Sequence, residues 1–244
     1  MAEPADKNAL ETGIDPASQA ETVSPPVRRY RATLFQLALF LAVGVFAFLT
    51  ILVKTTPSFA IDLQITQAIQ SITSPWFGGI MRLVSWPGFL PQSIIITVTI
   101  ALVLYLYGLK WETFVSLAAA LFSGATNELI KGFIRRPRPG IDVVDVFAVL
   151  DSYSFPSGHV MFYTILFGYV WYLVYTLLKR SLLRSLFLGV FGFFVLSIGT
   201  SRIYLGQHWA SDVLGAYLLG GLILVGIVLL HQGGKSRFIV REPS

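Results

Sequence analysis

Beyond residue 30 the chain alternates between long apolar runs and short polar breaks. Six runs are long enough to cross a bilayer, whose core of about 30 Å takes about 20 helical residues. They cover about Ala32–Val53, Pro91–Tyr107, Glu112–Ile134, Gly158–Leu178, Leu182–Thr200 and Trp209–Leu230. Helices are expected, because backbone polar groups within lipid must be satisfied inside the segment. Between the first two runs, Ile61–Ile72 (IDLQITQAIQSI) is amphipathic and is expected to lie along the interface. Trp76–Gly88, ending in Trp-Pro-Gly, reads as an interfacial loop. The predicted fold is all-α and polytopic, with six transmembrane helices and one short interfacial helix over residues 31–244. Residues 1–30 differ: Glu3, Asp6, Glu11, Asp15 and Glu21 stand among Ala, Ser, Thr and Pro without periodicity. That is the composition of a disordered acidic tail, dispensable for chemistry. The acidic stretch comes first and no cleavage pattern follows the first run, so no signal peptide is expected.

Composition strengthens the membrane reading. Charged residues are 13% of the chain and mean hydropathy is +0.70, whereas soluble domains carry about 25% charge. Too little polar surface remains to face water. The net charge of +5 would suggest nucleic acid in a soluble chain. Here the basic residues stand at the ends of apolar runs, so neither a nucleic-acid nor an obligatory protein partner is expected. The absence of Cys excludes disulfides, thiolate chemistry and thiol metal sites.

Six spans place both termini on one side. Arg28, Arg29, Arg31, Lys110, Lys179, Arg180, Arg184, Lys235, Arg237 and Arg241 fall there, against Lys54, Arg82, Lys131, Arg135, Arg136, Arg138 and Arg202 opposite. Five of those seven lie in two segments that carry candidate chemistry. Setting them aside leaves 10 against 2, which predicts cytoplasmic termini by the positive-inside rule.

Three polar segments then share the outer face: Lys131–Pro139, Phe155–His159 and Ser201–Asp212. Charges at the ends of apolar helices are costly, and a common anionic ligand explains their grouping. Lys131, Arg138 and Arg202 would bring three positive charges, Arg as a planar fork and Lys as a point charge. Arg135 and Arg136 read instead as headgroup anchors. Ser157-Gly158-His159 opens the fourth span, where free N–H groups bind anions and a glycine admits close approach. His208 and Asp212, four apart, share a helical face, so that the carboxylate can hold one ring nitrogen and leave the other free. With His159, one histidine can attack phosphorus while the other protonates the leaving oxygen and then activates water. Glu128, one turn before Lys131, neutralises that lysine or meets the headgroup. His231, at the far end of the sixth span, reads as an interfacial residue without a catalytic role.

In order, the segments read Lys131, six residues, Arg138-Pro139; Pro156-Ser157-Gly158-His159; and Ser201-Arg202, five residues, His208, three residues, Asp212. This pattern resembles the type-2 phosphatidic acid phosphatase family, which includes membrane lipid phosphatases and the vanadium haloperoxidases. The resemblance implies His208 as a nucleophile forming a phosphohistidine, Asp212 as its orienting group and His159 as general acid and then base. Lys131, Arg138, Ser157, Gly158 and Arg202 would bind phosphate, and no metal or other cofactor is implied.

The expected activity is release of phosphate from a lipid at the extracytoplasmic face, which in a bacterium would be the outer side of the inner membrane. Undecaprenyl diphosphate, phosphatidic acid and phosphatidylglycerol phosphate are the candidate substrates, and membrane lipids the only other partners. A phosphotransferase using the same phosphohistidine is the alternative. An anion transporter fits less well, since transport sites lie near the midplane and these charges gather at one face. The haloperoxidase branch is water-soluble, and this chain is not.

Overall fold

The computed structural model describes residues 25–238, whose regular elements are helices with no strand among them. Of the stretch expected as a disordered tail, residues 1–24 lie outside the described residues, and from Pro25 onward the chain is helix. The elements are α1 (Pro25–Thr55), α2 (Ala60–Gln70), α3 (Pro75–Ser85) with a 3₁₀ turn Trp86–Gly88, α4 (Gln92–Leu106) and α5 (Lys110–Ile134). They continue with α6 (Gly158–Leu177), α7 (Leu182–Tyr204) and α8 (Ala210–Phe238).

By its contacts the chain divides after Leu41. The first unit, where described, is the N-terminal part of α1, with Phe40 and Leu41 exposed. The second unit, from Ala42, holds the remaining helices and the candidate site.

Helices α1, α5, α6, α7 and α8 are each long and apolar enough to cross a membrane. The segment expected as the second span is built differently. Helix α4 has 15 residues, about 22 Å at 1.5 Å per residue, which is short of the hydrocarbon core. It passes as a span only together with α3 and the 3₁₀ turn, as a pair bent by 63°. The stretch expected as an interfacial loop, Trp76–Gly88, is therefore mostly helix. Pro75 occupies the first turn, where its missing N–H costs nothing. Gly78, Met81, Val84 and Ser85 recur at helical spacing along its buried face. Trp-Pro-Gly breaks this span without replacing it.

Helix α2 also differs from expectation. Its buried face is polar: Asp62 and Thr66, one turn apart, are fully buried, while Ile61 is exposed. The helix packs on α7 and α8.

At the centre of the second unit is α6. Val160, Met161, Tyr163, Ile165, Leu166 and Phe167 form the main core with Val84 of α3, Ala119 of α5, Ile198 of α7 and Val213 and Ala216 of α8. Residues Tyr163–Phe167 make a π-helical turn, all buried. There Tyr163 Oη donates to the Val84 carbonyl at 2.6 Å. Such turns often stand beside functional residues, and this one begins four residues after His159. Outward faces carry large apolar side chains, among them Leu102, Leu121, Leu182 and Leu196. In water this would be an exposed patch; in lipid it is the solvent-facing surface.

Candidate active site

Helix α5 delivers the first segment. It ends at Arg135, whose left-handed backbone (φ 57°) closes the last turn with an N–H to the Lys131 carbonyl. The turn leaves Lys131 buried on the last turn of the helix and sends Arg136 inward. Lys131 Nζ lies 3.4 Å from Glu128, whose side chain is 72% exposed, so Glu128 reads as a surface counter-charge.

Arg138 is clamped by the chain around it. Its guanidinium donates to the Ser152 carbonyl at 2.7 Å, the Gln207 carbonyl at 2.5 Å and Ser152 Oγ at 2.9 Å. It also lies 3.2 Å from His208 Nε2. An arginine N–H can only donate, so Nε2 accepts and the ring proton sits on Nδ1. That nitrogen faces Asp212 Oδ2 at 3.6 Å, longer than the hydrogen bond expected. The reason lies in Asp212's other partners: Arg136 Nη1 at 2.5 Å and the Trp209 N–H at 2.9 Å.

The second segment opens α6. Ser157 is the N-cap residue, but its hydroxyl caps nothing. Ser157 N–H donates to the Asp212 carbonyl at 3.3 Å, joining the second segment to the third. A Cβ on Gly158 would stand 3.0 Å from Asn127 Oδ1, so this glycine allows α6 to start against α5. Asn127 donates to the Pro156 carbonyl at 2.9 Å and holds the loop before the helix.

Arg202 closes the site from α7. It is fully buried, donates to Ser85 Oγ at 3.0 Å and faces the Phe89 ring. Ser85 in turn contacts Ser201 Oγ at 2.8 Å. His159 interacts electrostatically with Arg202, His208, Lys131 and Arg138, so all three segments converge. Burial holds the His208 ring well below the usual imidazole value, and the charges of Arg138, Arg202 and Lys131 push it the same way.

Ser157 Oγ, His159 Nε2 and Arg202 Nε and Nη2 are buried without a hydrogen-bond partner. Buried polar groups are nearly always paired, so this concentration of polar atoms marks a place shaped for an acceptor-rich ligand. Gln207, which sequence reasoning gave no role, has both amide atoms in the same condition.

Three further residues were not legible in the sequence. Arg136, expected as a headgroup anchor, has a fully buried side chain bound to Asp62, Ser211, Asp212 and the Pro57 carbonyl; only Arg135 remains exposed. Asp62 reaches the site from α2. Gly88 belongs to the 3₁₀ turn, and a Cβ there would come within 2.3 Å of His159 Cδ2. Gly88→Ala should displace the His159 ring and lower kcat about 10- to 100-fold, as small misplacements of reacting groups do; steady-state assay of the variant checks this. His231, expected at the interface, is buried, 2.8 Å from Tyr169 Oη. It is 23 residues after His208, on the order of 34 Å along the helix, and plays no part in this site.

The PAP2 superfamily model matches residues 110–235. Phosphatidylglycerophosphatase B of Bacillus subtilis (strain 168) is 29% identical over 188 residues, covering 74% of this chain and 90% of that protein. The crystal structure of the transmembrane PAP2-type phosphatidylglycerolphosphate phosphatase from Bacillus subtilis matches with a TM-score of 0.69 at 26% identity, over 84% of this chain and 98% of that one. Aquifex aeolicus LpxE shares the fold, with a TM-score of 0.58 at 20% identity over 70% and 97% of the two chains. The matched region contains all three polar segments and more than half of the 244 residues, and the chain belongs to the PAP2 superfamily.

Proposed function

We propose that this multi-pass membrane protein hydrolyses a lipid phosphate through a phosphohistidine on His208, at the extracytoplasmic face. The coarser assignment, a membrane lipid phosphatase, rests on the family and on the phosphatidylglycerophosphatase relatives. The observation that carries the mechanism is the set of unpartnered donors beside a histidine whose Nε2 is held as an acceptor.

In the first step the Arg138 N–H turns from His208 Nε2 to a phosphoryl oxygen, the freed Nε2 lone pair attacks phosphorus as the bond to the leaving oxygen breaks, and His159 protonates that oxygen. Lys131, Arg138, Arg202, Ser157 Oγ and the N–H groups opening α6 hold the phosphoryl oxygens and the charge that builds on them. In the second step His159 takes a proton from water, which attacks the phosphohistidine, frees His208 and releases phosphate. Asp212, 3.6 Å from Nδ1, offsets the positive charge that develops on the ring.

The distribution of Lys and Arg supports cytoplasmic termini and an outer site. Among undecaprenyl diphosphate, phosphatidic acid and phosphatidylglycerol phosphate, the names of the Bacillus relatives favour the last. The test is phosphate release by purified protein in detergent with excess EDTA, from each of these lipids. Release from phosphatidylglycerol phosphate above the other two is expected. No release from any of the three by folded protein would overturn hydrolysis, and product formed only when a lipid acceptor is added would identify a transferase.

A further inference from the structure

We propose that Asp62, on α2, is a positioning residue for the chemistry at His208, acting by drawing half of the Arg136 guanidinium away from Asp212. The proposal rests on the phosphohistidine reading above.

Asp62 is fully buried. Its carboxylate accepts from Arg136 Nη2 at 2.8 Å, the Ser211 N–H at 2.8 Å and Ser211 Oγ at 2.7 Å. Arg136 Nη1 donates to Asp212 at 2.5 Å and to Ser211 Oγ at 2.7 Å. One guanidinium therefore serves two carboxylates, and with both ionised the cluster would carry a net charge of −1 out of water. A buried charge without full compensation is costly. An Arg136–Asp212 pair alone would be neutral; Asp62 adds a second carboxylate, which also accepts from the Phe59 N–H at 3.4 Å at the start of α2.

The surroundings of His208 supply a reason. Lys131 faces it from α5, Arg138 from the loop after α5, His159 from α6 and Arg202 from α7. Among the described residues, apart from the exposed Glu128 beside Lys131, the carboxylates near the ring are Asp212, 3.6 Å from His208 Nδ1, and Asp62 behind it. Without Asp62, Arg136 would cancel Asp212, and a ring becoming cationic as it takes the phosphoryl group would face only positive neighbours. With Asp62 present, one negative charge remains beside Nδ1. The phosphate enters with its own negative charges and is met at Nε2, where Arg138 stands. Helix α2 thus acts on a reaction that it does not touch.

Asp62→Asn is the decisive variant, because asparagine keeps the size of the side chain and an oxygen for the Ser211 N–H, and its amide NH2 can donate to Ser211 Oγ, while the charge disappears. It is assayed as the full chain in detergent, on the lipid that the native protein hydrolyses, beside Asp62→Glu and Ser211→Ala. Expected for Asp62→Asn is a kcat lower by about 10- to 100-fold, the usual loss for partners one shell behind a reacting group. KM stays within about threefold, since the phosphate contacts are intact. The acid limb of kcat/KM moves to lower pH, because a ring with less negative charge nearby binds its proton more weakly. Asp62→Glu recovers most of the rate, and Ser211→Ala, which removes hydrogen bonds but no charge, loses less than Asp62→Asn. Asp62→Ser carries the same expectations should the asparagine variant not fold.

A native kcat in Asp62→Asn would overturn the proposal, as would a loss no greater than that of Ser211→Ala with an unmoved acid limb. Activity that survives His208→Ala would overturn the phosphohistidine reading and this proposal with it. An enzyme silenced by His208→Ala but indifferent to Asp62→Asn would overturn this proposal alone.

Discussion

His208→Ala should lower phosphate release by about 10⁴- to 10⁶-fold, the scale on which loss of a nucleophile acts when the rest of its site survives. The ring is almost wholly buried, and its Nε2 receives a hydrogen bond from Arg138. Alanine therefore removes the attacking atom and leaves Arg138 held by Ser152 and the Gln207 carbonyl. Lipid binding should be retained, and a fluorescent lipid phosphate should bind the variant about as tightly as the native protein. The native pH profile tests the same assignment. Attack requires a neutral ring, and burial with three nearby cations holds the ring well below its ordinary value of 6.5. The neutral form is thus lost only as pH falls through the depressed value. From pH 7 down to 6.5 this group should cost no activity, and the acid limb of kcat/KM should appear lower. A variant retaining a hundredth of native turnover would remove His208 as nucleophile.

The three polar segments were legible because each is short and its roles depend on neighbours close in sequence. Ser157, Gly158 and His159 open one helix, as their spacing implied; His208 lies in the bend before α8 and Asp212 in its first turn, so the two are near each other without sharing a helical turn. The six-span layout was legible from apolar length. What escaped was set by contacts far apart in the chain. Arg135 and Arg136 are indistinguishable as adjacent basic residues. The left-handed turn that ends α5 leaves one exposed and buries the other. Asp62 looked like the polar side of an interfacial helix, yet its partners are 74 and 149 positions away. For α3, the Trp-Pro-Gly signal drew attention to the turn and away from the helical spacing of Gly78, Met81 and Val84. The His208–Asp212 contact was expected as a hydrogen bond. Competition from Arg136 and the Trp209 N–H, which no local pattern announces, lengthens it.

Arg136→Met should destabilise the protein by about 3–5 kcal/mol, the cost of stripping one partner from a buried ion cluster. Methionine fills much of the same space beside Phe59, so the loss is mainly one of charge. In the native protein Asp62 and Asp212 both depend on Arg136, at 2.8 and 2.5 Å, and both are fully buried. Removing the guanidinium leaves two carboxylates near each other, with Ser211 and the Phe59 and Trp209 N–H groups still donating to them. Thermal unfolding in detergent should show a midpoint lower by about 10 °C, at about 2–4 °C per kcal/mol for a chain of this size. The double variant Arg136→Met with Asp62→Asn removes one of the stranded charges and should recover part of the loss. That recovery separates charge from packing, because a cavity left by the arginine would be unaffected by the second change. A midpoint within 2 °C of native in the single variant, or no recovery in the double, would mean that Arg136 does not hold these two carboxylates together.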